Sequence, residues 1–162
     1  MYNKNMKKSF DLDYIIVSAC LLGSKVRYDG KEKKNNKVTE LSVFYNVIPI
    51  CPEVDGGLSI PRDPCEIIGD RVVTKNGTDC TKEYSLGAKK ALDLAKEKRI
   101  RFAVLKENSP SCGYNMIYDG TFSHKLIKGK GIAANLLEKN GIKVYTENDI
   151  DVLLEHARKH NN

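Results

Sequence analysis

The chain has no tryptophan, four phenylalanines and no apolar run approaching the roughly 20 residues that cross a bilayer. A membrane-spanning helix is therefore not expected. No low-complexity tract, internal repeat or Pro/Gly/Ser-rich linker divides its 162 residues, a length that fits one domain with one sizeable core. No two of the five cysteines stand at C-x₂₋₄-C spacing, which removes the usual signature of a structural zinc site. Their odd number argues against a disulfide framework. Neither sign of charge is scarce, because 27 basic residues are interleaved with 21 acidic ones, for a net +6. The only tight basic run, KEKK at 31–34, reads as a solvated loop, and nucleic acid is not the expected partner.

Residues 1–13 read as a polar leader, and residues 14–162 as a single α/β domain. Lys4, Lys7 and Lys8 precede Val17-Ser18-Ala19-Cys20, a superficial likeness to a lipoprotein cleavage site. Asp11 and Asp13 interrupt the approach, however, and only Tyr14 to Val17 are apolar where a signal peptide carries about 7–15 such residues. A cytoplasmic location is expected, and in that reducing compartment the thiols would be free or would hold a metal or cluster.

Short apolar runs bounded by turn signals predict strands at Tyr14–Val17, Val47–Ile50, Arg71–Thr74, Phe102–Leu105 and Ile142–Tyr145. Pro49 places the second at an edge or a strand end. Helical spacing predicts helices over Thr39–Tyr45 with Thr39 as cap, Thr81–Ala95, Lys128–Asn140 stopped by Gly141, and from Glu147 or Asn148 onward. This alternation implies a single-domain three-layer sandwich with a mainly parallel, Rossmann-like sheet. Ligands in such sheets bind beyond the carboxyl ends of the strands. Cys20, Cys51 and Cys112 all stand in loops leaving that edge.

Converging thiols are a candidate site. Each free cysteine alone is usually a small buried hydrophobe, and Cys65 and Cys80 are read that way. The other three sit among turn residues, in YIIVSAC, NVIPICPE and VLKENSPSCG. Three thiolates could bind zinc, or three irons of a [4Fe–4S] cluster. His124, His156 and His160 are most simply surface residues. Glu53, two residues past Cys51, is a solvated loop residue or a general acid/base. Ser109 and Ser111 in SPSCG are turn formers or substrate contacts. Gly129-Lys130-Gly131 is a helix entry or a phosphate cradle.

Taken together, SACLLGSKVRYDG, CPEVDGGLSIPRDPCEI, LKENSPSCG, IYDGTF and GKGIAANLLEKNG resemble the family of small bacterial proteins, long a domain of unknown function, that includes the thiouracil desulfurases. The resemblance runs from about Ile15 to Val144. It implies a [4Fe–4S] cluster held by Cys20, Cys51 and Cys112, with the fourth iron open to the sulfur of a thiolated nucleobase or nucleotide, which is hydrolysed without redox change. Glu53 matches the family's catalytic glutamate and Ser109 its assisting serine, with Ser111 the neighbouring candidate. Arg27, Tyr28, Asp29, Arg62, Lys106 and Asn108 resemble positions near the pocket. Two rival expectations stand beside it: a non-catalytic iron–sulfur or zinc carrier or sensor, and a thiol enzyme with Cys112 as nucleophile. The sequence fixes no oligomeric state.

Overall fold

The computed structural model describes residues 11–160. Its centre is a four-stranded parallel sheet of β1 (Tyr14–Ser18), β2 (Asn46–Ile50), β5 (Phe102–Leu105) and β8 (Lys143–Thr146), in the order β2-β1-β5-β8. Continuous apolar runs suit β1 and β5 because both their faces are covered. Ile15 and Val17 pack on one side with Val38, Leu41, Leu153 and Leu154. On the other, Ile16, Ala103 and Leu105 pack with Ala91, Leu92, Ala134 and Leu137. Those outer layers are α1 (Asn36–Thr39) with α5 (Ile150–His160), and α3 (Thr81–Glu97) with α4 (Ile132–Lys139). The three-layer α/β sandwich read from the sequence is the observed architecture. Pro49 sits in the outer strand β2, the position in a sheet where a proline is tolerated.

Three elements outside the sheet shape its carboxyl edge. A one-turn α2 (Pro52–Asp55) follows β2, and two antiparallel hairpins pair β3 (Cys65–Ile68) with β4 (Arg71–Thr74) and β6 (Met116–Tyr118) with β7 (Leu126–Lys128). Of these strands only β4 is legible in the sequence, where the Asn76-Gly77 turn signal follows it; β6 and β7 have three residues each and β7 is exposed throughout.

Two helix starts differ from expectation. The first helical turn begins at Asn36, since the Asn35 side chain accepts from the N–H groups of Lys37 and Val38 at 3.0 and 3.2 Å; a 3-10 turn carries the chain on over Glu40–Val43. Thr39 is no cap, and its hydroxyl donates back to the Asn36 carbonyl. The helix expected from Lys128 starts at Ile132, because Lys128 closes β7 and Gly129–Gly131 is a tight connection. Of the expected leader, residues 1–10 lie outside the described residues. Asp13 belongs to the sheet's edge: its carbonyl accepts from Asn46 N–H and its carboxylate pairs with Arg101 at 3.0 Å.

Candidate functional site

β1 lies between β2, reached by the first crossover, and β5, reached only after the chain passes to the sheet's other side. Such a reversal opens a crevice at the strands' carboxyl ends. A cavity of about 960 Å³ occupies that end, lined among others by Cys20, Cys51, Cys112, Glu53, Ser109 and Ser111. Cys20 stands in a 3-10 turn (Ala19–Leu22) directly after β1, Cys51 between β2 and α2, and Cys112 in the loop after β5.

That last loop is fixed from two sides. The Ser109 hydroxyl oxygen accepts from the N–H groups of Ser111 and Cys112, each at 3.1 Å, and the Gly113 N–H closes the turn onto the Ser109 carbonyl. Beneath it, the first N–H groups of α4 are spent on the same loop: Ile132 donates to the Pro110 carbonyl, and Ala133 and Ala134 to that of Ser111. Gly131 is required there, since a Cβ would meet the Ser111 carbonyl carbon at 2.5 Å. The helix start that could have cradled a phosphate cradles the Cys112 loop.

Glu107, which the sequence reading passed over, is the loop's other anchor. Its Oε1 accepts from the N–H groups of Asn108, Tyr114, Asn115 and Met116, at 2.8 to 3.3 Å, and Oε2 from Asn115 Nδ2 at 2.8 Å. Asn108, at φ 70°, takes the left-handed turn that allows this closure. Burial works to raise the Glu107 pKa, but the N–H donors from Tyr114 to Met116 win and hold the carboxyl below its ordinary range.

Glu53 sits in α2 with both carboxylate oxygens engaged. Oε1 accepts from Tyr84 Oη at 2.9 Å and Arg62 Nε at 3.2 Å. Oε2 accepts from Ser111 Oγ at 2.8 Å, with Ser109 Oγ at 3.4 Å. Of the two serines Ser111 is thus the nearer, and the two hydroxyls lie 2.8 Å apart. The other donors of Arg62 go to the carbonyls of Ser59 and Val26, so its guanidinium serves Glu53 and its own loop. Lys106 lines the cavity, but its ammonium is held by Glu147 at 2.9 Å and by the Glu107 carbonyl. Arg27, Tyr28 and Asn108 also line the cavity. Asp29 is not brought there; its carboxylate turns to the Lys31 N–H and to Arg27 at 3.9 Å.

The thiols of Cys20, Cys51 and Cys112 are all made less acidic by burial. Cys20 is pushed up to about 11, against the pull of Lys106, and Cys112 to about 12, against hydrogen bonds from Ser18 and Ser111; Cys51 is also raised. Ser18, another residue the sequence did not single out, is 2 % exposed and also accepts from the Lys106 N–H at 2.9 Å. A buried thiol with raised pKa is the opposite of an activated nucleophile at neutral pH. Among the described residues, no three His, Cys, Asp or Glu side chains stand close enough to hold a single metal ion. Cys65 lines the cavity and packs with Cys80, Val72 and Tyr84; burial, with Cys80 beside it, pushes its thiol up to about 12. No described helix is long and apolar enough to cross a membrane.

Fold and site together define an α/β enzyme with a thiol-lined crevice and a half-buried, donor-held carboxylate at the carboxyl edge of its sheet. Residues 15–149 match the 2-thiouracil desulfurase family, and the chain belongs to it. The resemblance read from the motifs is thereby confirmed. The chain is 43 % identical over 150 residues to YbbK of Bacillus subtilis, a protein described as uncharacterized, covering 86 % of this chain and 99 % of that one. It is also similar to a solved [4Fe–4S]-dependent thiouracil desulfidase, TudS, at 45 % identity and a TM-score of 0.85, over 89 % of this chain and 97 % of that one.

Proposed function

We propose that the protein is a [4Fe–4S]-dependent, non-redox desulfidase that exchanges the thiocarbonyl sulfur of a thiolated pyrimidine, free or as a nucleotide, for oxygen. The donor set suits such a cluster. Three soft thiols reach one cavity from three separate loops. Thiolates are the soft donors that hold an iron–sulfur cluster, and the three here come from separate loops rather than from the C-x₂₋₄-C pairs of structural zinc sites. Cys20, Cys51 and Cys112 would hold it, leaving one iron without a protein ligand, and when bound it supplies a soft Lewis acid for the substrate's sulfur. Such a thiolate-held group fits the reducing cytoplasm.

The chain's own residues supply the proton chemistry. Water adds to the ring carbon, the C–S bond breaks, and sulfide and the oxo-pyrimidine result. Glu53 takes the water's proton at Oε2 and returns it to the departing product. Ser111 and Ser109 hold that oxygen toward the cavity. Lys106 and Arg27 place positive charge beside Cys20 and offset the anion that accumulates as sulfur leaves. Tyr28, 40 % exposed at the rim, contacts the incoming ring.

The observation that carries this reading is a hydrogen-bonded carboxylate, Glu53, in the same cavity as three loop cysteines from three different strands. Anaerobic reconstitution followed by sulfide release from 2- and 4-thiouracil tests it. Wild type is expected to turn over only when loaded with iron, and both Glu53→Ala and Cys112→Ala to lose at least a hundredfold. Turnover without iron, or full activity in the Glu53 variant, would sink it.

A further inference from the structure

Tyr84 faces inward from the first turn of α3, only 1 % exposed, and its ring packs in a small satellite core with Cys65, Val72 and Cys80. A phenylalanine would fill that space equally well. The hydroxyl is the one feature packing does not explain, and its single hydrogen is donated to Glu53 Oε1 at 2.9 Å. A buried tyrosine hydroxyl generally finds a partner. Here the partner is the carboxylate already assigned the proton transfer.

The backbone is built to keep the two together. A Cβ at Gly87 would land on the Pro52 carbonyl oxygen, and one at Gly56 on the Glu83 carbonyl oxygen. Helices α2 and α3 therefore touch backbone to backbone, on either side of the Tyr84–Glu53 hydrogen bond. No other spacing of these helices would be kept by two glycines, each facing the other helix's carbonyl. Burial, and the neighbouring Glu53 carboxylate, also push the phenol pKa well above its ordinary value, so the hydroxyl remains a donor throughout the working range of pH.

The division of donors between the carboxylate oxygens is uneven in a useful way. Oε1 receives Tyr84 and Arg62, both buried and both fixed by the surrounding fold. Oε2 receives serine hydroxyls from the loop that carries Cys112. Serine hydroxyls rotate about an sp³ bond and both donate and accept, whereas the guanidinium only donates and the phenol hydroxyl prefers the plane of its buried ring. We infer that Tyr84 is a positioning residue: its hydroxyl, with Arg62, anchors Glu53 through Oε1 and leaves Oε2 as the oxygen that exchanges a proton with the reacting water. This rests on the desulfidase reading, because it assigns the two oxygens of that reading's acid–base group different tasks.

Tyr84→Phe removes the hydroxyl and keeps the ring. In the reconstituted enzyme acting on 4-thiouracil, kcat is expected to fall about tenfold while KM and iron content per chain stay within twofold of wild type. Incorporating 4-aminophenylalanine at position 84, which restores an N–H donor at the same place, should recover most of the lost kcat. A Tyr84→Phe kcat within twofold of wild type, or no recovery with the amino analogue, overturns the inference. A second measurement is independent of turnover. In a high-resolution crystal structure of iron-free Tyr84→Phe, the Glu53 carboxylate should occupy more than one rotamer, and a single unchanged rotamer overturns the inference. If the loaded wild type releases no sulfide from thiouracils, the desulfidase reading fails, and the rotamer test still decides whether Tyr84 positions Glu53.

Discussion

Two carboxylates, Glu107 buried and Glu53 half-buried, line the same cavity, and their donors tell them apart. All donors to Glu107 are amides of Asn108 and of Tyr114 to Met116, so it is a knot that ties the 108–116 loop. Those to Glu53 are side chains from three other segments, which makes it a meeting point of elements. The two serines divide in the same manner. Ser109 Oγ is occupied by two backbone N–H groups, and replacing Ser109 with Ala leaves both without that acceptor at about 1–3 kcal/mol per buried group. We expect Ser109→Ala to lower the melting temperature and the iron content, whereas Ser111→Ala keeps both and lowers kcat about tenfold. Iron analysis, melting and kinetics on the two variants separate these outcomes. For Glu107 the expectation concerns pH. A carboxyl whose folded pKa is held below the unfolded value near 4.3 stabilises the fold fully above that value, and the contribution is lost as pH falls through the folded pKa. Below about pH 4 the melting temperature of Glu107→Gln should fall less steeply than that of wild type; parallel curves would remove Glu107 from the loop's stability. Neither role was legible beforehand. A carboxylate's task depends on which donors the fold turns toward it, and SPSCG alone cannot say which hydroxyl faces the backbone.

At the scale of elements, the contact between α2 and α3 and the seat of α4 on the Cys112 loop are both made by glycines. Gly87→Ala, inside a helix, gains helix propensity of about 1 kcal/mol but drives a methyl into the Pro52 carbonyl. The clash prevails because backbone meets backbone and no side chain can move aside. The expected result is loss of several kcal/mol in denaturant unfolding together with loss of activity; a stabilised variant would show that the helices separate freely. The sequence displayed the central strands and long helices well, since continuous apolar runs and helical periodicity report burial directly. It displayed the helix starts poorly. Asn35 takes over as cap from Thr39 because its side chain reaches two N–H groups, and the GKG segment is consumed by a loop some 20 residues earlier in the chain. Short hairpins such as β6–β7 leave almost no pattern to read.

For the molecule as a whole, convergence was the legible part: alternating strands and helices sent Cys20, Cys51 and Cys112 to one edge before any coordinate was known. What no local pattern held was the framing, in which Tyr84 and Ser18 fix groups that lie far away in sequence. A group bound jointly by three loops stabilises every element those loops join. Loaded protein should therefore melt several degrees above the same protein after anaerobic treatment with an iron chelator, and Cys20→Ala should melt alike with and without that treatment. Equal melting of loaded and stripped wild type would mean that the cysteines do not share one ligand.

The seat of α4 beneath the Cys112 loop also has a consequence in time. As the chain leaves the ribosome, N-terminal segments fold first, and β1 with β2 can present Cys20 and Cys51 early. The Pro110 and Ser111 carbonyls wait for the amides of residues 132–134, and β5 waits for β8, which closes the sheet. The third thiol is thus delivered only after α4 and β8 have been made. Iron and sulfide would then enter only once α4 is made, and a nascent chain halted before α4 would place Cys20 and Cys51 but leave the Cys112 loop unseated.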